Sequence, residues 1–163
     1  MRLHIVYQMN SKAAVRKFFS SSRFAVVGAS SDPDKYGNKV LCWYLQQSLP
    51  VTPINTKSKT IEALEKFHDA VPSLSSLPAS EFTDTSVSII THPDVTIEIL
   101  KEACKLRIPA VWLQPGSFDE RSLRYIREEA NFGAVLAGKG GTGHGGWCIL
   151  MDSEDGLKAA GKL

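Results

Sequence analysis

The sequence has few cysteines, almost no net charge and no long apolar run. Its 163 residues include three cysteines, Cys42, Cys104 and Cys148, without a CxxC pair. An odd and widely spaced set does not form a disulfide framework, so a reducing compartment is favoured. No apolar run approaches the roughly 18 residues that cross a bilayer, so we expect no membrane partner.

The charge is nearly balanced, with 19 basic against 17 acidic residues and a formal net charge of +2. This excess is too small to indicate nucleic-acid binding, so we expect no nucleic-acid partner. The histidines and cysteines lack the spacing of metal ligands, and no Ser-His-Asp order or nucleophile elbow is present. We therefore predict no metal site and no catalytic residues. The sequence leaves enzymatic activity undecided and favours a protein without it.

The N-terminus is poor in acidic residues. The first 31 residues contain no Asp or Glu but carry five Lys or Arg residues and several serines, a composition found in mitochondrial transit peptides. This stretch runs directly into the first predicted core strand at Phe24, so its removal would damage the fold. We expect a cytoplasmic protein, with a mitochondrial location as the alternative.

Short apolar segments alternate with helical patterns along the chain. The spacing predicts strands over 24–27, 51–54, 87–91, 110–113 and 134–136, and helices over 11–20 and 36–49, after Pro93 and from Asp119. Thr91 or Asp94 is expected to cap the third helix, and 61–67 to form one or two helical turns. The alternation predicts an α/β fold, Rossmann-like and doubly wound, with a mainly parallel sheet of about five strands and helices on both faces.

The chain is predicted to be a single domain over residues 1–163, because no internal repeat or linker divides it. Residues 1–14 are expected to be an N-terminal extension. Residues 138–147 are rich in glycine, which permits mobility and close approach to a bound group. We predict that this stretch is a flap over a ligand.

The loop after the first predicted strand has the parts of a phosphate-binding turn. Gly28 permits a tight turn, Ser30 offers a hydroxyl, Lys35 adds a cation, and Gly37 allows close approach of the next helix. A dinucleotide fingerprint would need glycine at positions 30 and 33, and the chain has serine and proline there. The loop therefore differs from the common NAD loop while retaining an anion site at a helix N-terminus.

The end of the second predicted strand carries lysine where an NAD site carries an acid. The segment reads Asn55-Thr56-Lys57, and no acidic residue follows until Glu62. A carboxylate would repel a phosphorylated ribose, whereas lysine and hydroxyl groups suit it. Both NADP and coenzyme A (CoA) carry such a phosphate, so both cofactors stay open at this point.

The ordered motifs resemble the small CoA-binding proteins of bacteria, archaea and fungi, which are similar to the N-terminal domain of the succinyl-CoA ligase alpha subunit. The resemblance covers about residues 15–152 and rests on five segments in this order along the chain. They are Ala25-Val26-Val27-Gly28-Ala29-Ser30 with Pro33 and Gly37; Pro53-Ile54-Asn55 with Lys57; Val71-Pro72-Ser73-Leu74; Leu77-Pro78; and Trp112-Leu113-Gln114 with Gly116. It departs near the C-terminus, where an Asp-Arg-Cys segment is usual and a glycine-rich insert precedes Trp147-Cys148 here.

The resemblance implies a diphosphate between Gly28, Ser30 and Gly37, and a ribose phosphate near Asn55 and Lys57. It also implies adenine beside Ser73 and Leu74, and the pantetheine arm at the turn Thr91-His92-Pro93. The predicted cofactor-binding residues are Gly28, Ala29, Ser30, Ser31, Lys35, Tyr36, Gly37, Asn55, Thr56, Lys57, Ser73, Leu74, Thr91, His92, Pro93, Gln114 and Gly116.

The residues and the resemblance together predict a CoA or acyl-CoA binding protein without catalytic activity of its own, whose partner is a small nucleotide ligand. One alternative is an NADP-dependent oxidoreductase. Another is a partner subunit of an acyl-CoA ligase or transferase, acting through His92, His144 or Cys148. A homodimer is compatible with the sequence, which does not identify an acyl group.

Overall fold

The computed structural model describes residues 8–138 and 148–162, which contain one parallel sheet and one separate hairpin. The strands are β1 (Gln8–Met9), β2 (Arg23–Val27), β3 (Val51–Ile54), β4 (Thr60–Ala63), β5 (Lys66–Asp69), β6 (Thr85–Ile89), β7 (Ala110–Leu113) and β8 (Ala134–Ala137). The sheet has six strands in the order β1-β8-β7-β6-β2-β3, and every neighbouring pair is parallel. The predicted parallel α/β sheet is confirmed.

Helices cover both faces of this sheet. They are α1 (Lys12–Phe19), α2 (Tyr36–Gln46), α3 (Pro93–Lys105), α4 (Glu120–Glu128), α5 (Ile149–Asp152) and α6 (Glu154–Ala159), with two 3-10 helices at Leu74–Ser76 and Ala79–Asp84.

Two apolar cores lie on the two faces because successive side chains of a strand point in opposite directions. Val26 packs in one core with Phe18 of α1 and Leu41 of α2. Its neighbour Val27 packs in the other core with Leu100 of α3. The strands are therefore apolar on both sides, as a doubly covered parallel sheet requires.

The helix starts follow from local capping chemistry, with one correction. Ser11 accepts a hydrogen bond from the N–H of Ala14 and caps α1 as predicted. The expectation that Thr91 or Asp94 caps α3 is wrong: the cap is His92, whose Nδ1 accepts the N–H of Asp94 at 3.2 Å. Pro93 has a fixed φ that suits the first helical position, so the cap must be the residue before it.

The predicted helical turns over 61–67 are also wrong, since this stretch belongs to an antiparallel hairpin. β4 pairs with β5, and Leu64 and Glu65 form the turn with φ of 51° and 60°. Ile61 and Ala63 are buried, whereas Glu62 between them is exposed. This alternation with a period of two is the signal of a half-buried strand, and it outweighs the helical spacing.

Part of the predicted N-terminal extension joins the sheet. Gln8 and Met9 pair with Ala134 and Val135 of β8. The side chain of Asn10 bonds both the N–H and the C=O of Ala137, at 2.8 and 3.0 Å. Of the predicted flap over 138–147, residues 139–147 lie outside the described residues, and so does His144.

Two further observations concern the helices and the cysteines. Among the described residues, no helix has the length and apolar character needed to span a bilayer. No disulfide joins Cys42, Cys104 or Cys148 in the described part of the chain.

Candidate functional site

The carboxyl ends of β2, β3 and β6 meet at one point of the sheet edge. The N–H of Gly28, directly after β2, donates to the C=O of Ile54 at 3.3 Å. On the other side, the N–H of Ile90 donates to the C=O of Val27 at 2.8 Å. The chain leaves β2 toward β3 and later crosses to β6, so β2 stands at the topological switch point where doubly wound sheets bind ligands.

Gly28 and Gly37 allow two close backbone contacts at the end of β2, the first with the segment after β6 and the second with α2. Gly28 has φ of +91°, and a Cβ atom built on it would lie 2.5 Å from the Ile90 carbonyl oxygen. A Cβ atom on Gly37 would lie 2.0 Å from the Gly28 carbonyl oxygen. Neither position accepts a side chain without a backbone shift, so each predicted glycine has a steric reason. We call Gly28–Ser31 with Gly37 and Asn38 the glycine corner.

The N-terminus of α2 faces this corner without a capping side chain. Lys35 occupies the N-cap position and makes no side-chain capping hydrogen bond. The first turn of a helix has N–H groups without helical partners and a partial positive charge. Lys35 is exposed and adds a full charge, while the carboxylate of Asp32 accepts the N–H of Asp34 within its own loop at 3.0 Å. This arrangement suits a bound anion.

Asn38 holds the corner together, and the sequence reading did not identify it. Its buried amide donates to the carbonyl oxygens of Ser30 at 2.8 Å and Glu62 at 3.1 Å. Its side-chain oxygen accepts the thiol of Cys42 at 3.4 Å. A signal for this role was available, because a polar residue on the apolar side of a helix must find partners.

The two predicted serines of the corner are held by backbone N–H groups. Ser30 Oγ accepts the N–H of Asp32 at 3.1 Å, and Ser31 Oγ accepts the N–H of Glu62 at 2.9 Å. A hydroxyl that accepts in this way still has its own proton to donate. Both serines therefore remain possible donors to an anion. Ala29 between Gly28 and Ser30 is buried and contributes its backbone.

Asn55 ties the end of β3 to the glycine corner. Its amide donates to the Ala29 carbonyl at 2.9 Å, and its oxygen accepts the N–H groups of Lys57 and Ser58 at 2.8 and 2.9 Å. The side chains of Thr56 and Lys57 are exposed beside it. The structure thus brings the predicted lysine to the same edge as the corner. Its contact with a ribose phosphate stays a prediction.

The predicted adenine residues lie next along this edge. Asn55 N–H donates to the Val71 carbonyl at 3.0 Å, so the segment leading to Ser73 runs beside the end of β3. Leu74 is fully buried in the core, and its N–H donates to Glu102 Oε1 at 3.0 Å. Ser73 is half-buried and hydrogen-bonds Ser76. The adenine assignment stays a prediction, and the side chain of Leu74 serves the core.

The turn after β6 carries a pair of hydrogen-bonded threonines and an exposed group of polar and charged side chains. Thr91 Oγ1 lies 2.7 Å from Thr96 Oγ1, and His92 is exposed with its Nδ1 3.5 Å from Asp94 Oδ2. Arg121 at the start of α4 bonds Asp94 at 2.5 Å. The hydrogen bond and charge of that guanidinium lower the pKa of Asp94. Pro93, the remaining predicted residue of this turn, starts α3.

The last group at this edge is the C-terminal cluster, formed by Tyr36, Gln114, Cys148 and Ile149. Gln114 follows β7, is fully buried, and accepts the N–H of Ile149 at 3.1 Å through Oε1. Tyr36 hydrogen-bonds the buried thiol of Cys148. Burial, followed by this contact, raises the pKa of the Tyr36 phenol. Cys148 was interpreted as a small buried hydrophobe, and the structure adds a polar partner.

Several predicted residues therefore come together, and one stands apart. Gly116 lies exposed in the turn after β7 with φ of +86° and open space where a Cβ would be. The edge offers backbone N–H groups, hydroxyls and lysines to an anion, next to a buried carboxamide. Within residues 8–138 and 148–162, no group of three or more His, Cys, Asp or Glu residues could hold a metal ion.

Solved structures resemble this fold closely enough to compare. A conserved hypothetical protein from Pyrococcus furiosus is 28% identical, with a TM-score of 0.59 over 71% of this chain and 92% of that one. A protein from Thermus thermophilus is 25% identical, with a TM-score of 0.63 over 79% and 91%. A hypothetical protein from Pyrococcus horikoshii shares the fold, at 21% identity and a TM-score of 0.67 over 98% and 96%.

The family comparison covers the glycine corner and the edge around it. No curated protein is significantly similar to this chain. The family model described as the CoA binding domain matches residues 22–139, which include β2, β3, β6, β7 and β8 together with the loops that follow the first four. The chain therefore belongs to the CoA binding domain family.

Proposed function

We propose that this protein binds CoA or acyl-CoA, with the diphosphate at the glycine corner. The observation that carries the proposal is the N-terminus of α2, which lacks a capping side chain and lies against Gly28. Gly37 makes this close approach possible because it has no Cβ atom. Backbone N–H groups and the helix dipole bind a diphosphate in this setting. The hydroxyl protons of Ser30 and Ser31 and the charge of Lys35 would add further contacts.

The end of β3 would hold the ribose phosphate. Asn55 fixes the backbone of residues 57 and 58 through two hydrogen bonds, and this places Lys57 beside the corner. No acidic residue lies between positions 55 and 61. Adenine would then lie toward Ser73, since that segment runs along the same edge.

The arm of the ligand would extend in the opposite direction, over the ends of β6 and β7. β2 separates β3 from β6 in the sheet, so a diphosphate at β2 has its nucleoside on one side and its arm on the other. When bound, CoA supplies a thiol that carries acyl groups as thioesters. The residues described above bind and orient such a ligand, and we propose no catalytic step for them.

Titration calorimetry tests the proposal. We expect the protein to bind CoA or acetyl-CoA in preference to NADP and NAD, because the chain belongs to the CoA binding domain family and carries Lys57 where an NAD site carries an acid. Binding of NADP without a heat signal from either CoA compound would overturn it. A protein that binds none of the four would overturn it as well.

The charge at Lys57 gives a sharper version of this test. Lys57→Ala should lower the affinity for CoA about tenfold and leave the affinity for dephospho-CoA nearly unchanged, because dephospho-CoA lacks the ribose phosphate. Lys59→Ala is the matched control, since Lys59 is also exposed. Equal losses for both ligands would refute the assigned contact.

A further inference from the structure

We propose that the carboxamide of Gln114 donates a hydrogen bond to a carbonyl oxygen on the thiol-bearing arm of the ligand. This inference rests on the proposed function and names a contact that it leaves open. The observation behind it is that Gln114 Nε2 is buried and has no hydrogen-bond partner among the described residues.

The orientation of this amide follows from its neighbour. The N–H of Ile149 donates to Gln114 at 3.1 Å, and only the carbonyl oxygen of a carboxamide can accept it. The other end of the group is therefore the NH₂ donor. Both atoms belong to one small planar amide, so Nε2 lies at the same carboxyl edge as Ile149 and the glycine corner.

Leaving this donor unsatisfied is costly. A buried polar group without a partner destabilises the folded chain, and a partner that arrives with a ligand removes this cost. Nε2 has essentially no accessible surface, so a ligand that reaches it must displace the groups that cover it. Satisfying the donor offsets part of that displacement and favours ligands that carry an acceptor at this position.

The position of Gln114 selects the arm rather than the nucleotide. Gln114 follows β7, and its N–H donates to Ile89 at the end of β6 at 3.1 Å. β6 separates β7 from β2, so Gln114 lies two strand spacings, about 10 Å, from the strand that precedes Gly28. The nucleoside would lie in the opposite direction, over β3. What passes Gln114 is then the pantetheine arm.

The chemistry around Gln114 selects a neutral acceptor. The group is fully buried, and its neighbour Ile149 is buried as well. Burial raises the pKa of the Tyr36 phenol, which therefore keeps its proton beside the neutral carboxamide of Gln114. A phosphate would lose its hydration here without a counter-charge, whereas a carbonyl oxygen needs one donor. Two sources of that oxygen exist: the amides of pantetheine and the thioester of an acyl group.

The test compares ligands on one variant. Gln114→Met should lower the affinity for CoA or acetyl-CoA about tenfold and leave the affinity for 3′-phosphoadenosine 5′-diphosphate unchanged, because this nucleotide has no arm. Unchanged nucleotide binding also demonstrates that the variant folds. Gln46→Met is the matched control, since Gln46 is exposed on α2.

The ligand set identifies the carbonyl. Loss with CoA, acetyl-CoA and S-ethyl-CoA alike assigns a pantetheine amide, whereas loss confined to acetyl-CoA assigns the thioester. Gln114→Leu gives a second reading, because an apolar side chain of similar size cannot donate a hydrogen bond. Equal losses for the nucleotide and the CoA compounds, or wild-type affinity for CoA and acetyl-CoA in both variants, would overturn the inference. A wild-type protein that binds no CoA compound would instead overturn the proposed function.

Discussion

The glycine corner and the C-terminal cluster lie at the same sheet edge but are built in different ways. The corner joins residues close in sequence: Gly37 lies against Gly28, and Asn38 bonds Ser30 eight positions away. The cluster joins residues far apart, with 112 positions between Tyr36 and Cys148 and 35 between Gln114 and Ile149.

This difference affects how each region tolerates change. The corner depends on backbone contacts at Gly28 and Gly37 that leave no space for one added carbon atom. Even a small substitution there should therefore lower the free energy of unfolding strongly. The cluster depends on side-chain hydrogen bonds, each of which contributes about 1 kcal/mol. We therefore expect steric changes in the corner to cost more stability than the loss of a polar contact in the cluster.

The largest effect is expected for Gly37→Ala. Alanine is favourable within a helix, but its Cβ would lie 2.0 Å from the Gly28 carbonyl oxygen, so α2 must move away from β2. We expect a loss of about 3 kcal/mol in the free energy of unfolding, measured in urea, and loss of ligand binding. Gly116→Ala is the control, since open space surrounds it and its φ of +86° should cost about 1 kcal/mol. An equal effect at both sites would show that the close contact of Gly37 with Gly28 does not constrain the corner.

A smaller effect is expected for Asn38→Leu. The substitution keeps the volume of the buried side chain but leaves the carbonyls of Ser30 and Glu62 without the amide. We expect a loss of about 2 kcal/mol in the free energy of unfolding and weaker binding of every ligand with a diphosphate. Asn131→Leu, at an exposed position, is the control. Wild-type stability in Asn38→Leu would show that the corner does not depend on its side-chain clamp.

The smallest effect is expected for Tyr36→Phe, which removes one hydrogen bond from the C-terminal cluster. We expect a loss of about 1 kcal/mol or less in the free energy of unfolding. We also expect faster labelling of Cys148 by a thiol reagent, measured in a Cys42→Ala, Cys104→Ala background. A loss as large as that of Gly37→Ala would contradict the comparison.

Tyr36 should also affect stability at alkaline pH. Because burial raises the pKa of its phenol, the folded chain keeps this proton where the unfolded chain releases it above about pH 10. The contribution of Tyr36 is therefore complete below pH 10 and is lost as the pH rises further. We expect the stability of the wild-type protein to fall more steeply above pH 10 than that of Tyr36→Phe, measured by urea unfolding at each pH.

The sequence predicted the elements whose signals are local. The strands at 24–27 and 110–113 are recognisable as short apolar runs. The acidic pair Asp119 and Glu120 predicted the start of the helix α4, in which Asp119 is the N-cap and Glu120 the first residue. The hairpin over 60–69 was missed because its short alternation competes with a helical spacing. Asn38 was missed because its partners, the carbonyls of Ser30 in the corner and Glu62 in β4, are brought to it only by the fold.

By itself, the sequence determined the parallel α/β sheet and the placement of Gly28 and Gly37 at its switch point, because strands and turns are indicated by patterns of residues adjacent in the sequence. The tertiary structure alone decided that Gln114 has a buried donor without a described partner and that Tyr36 meets Cys148. Such contacts depend on how distant segments pack, since burial and hydrogen-bond satisfaction are properties of the assembled edge and not of any local pattern.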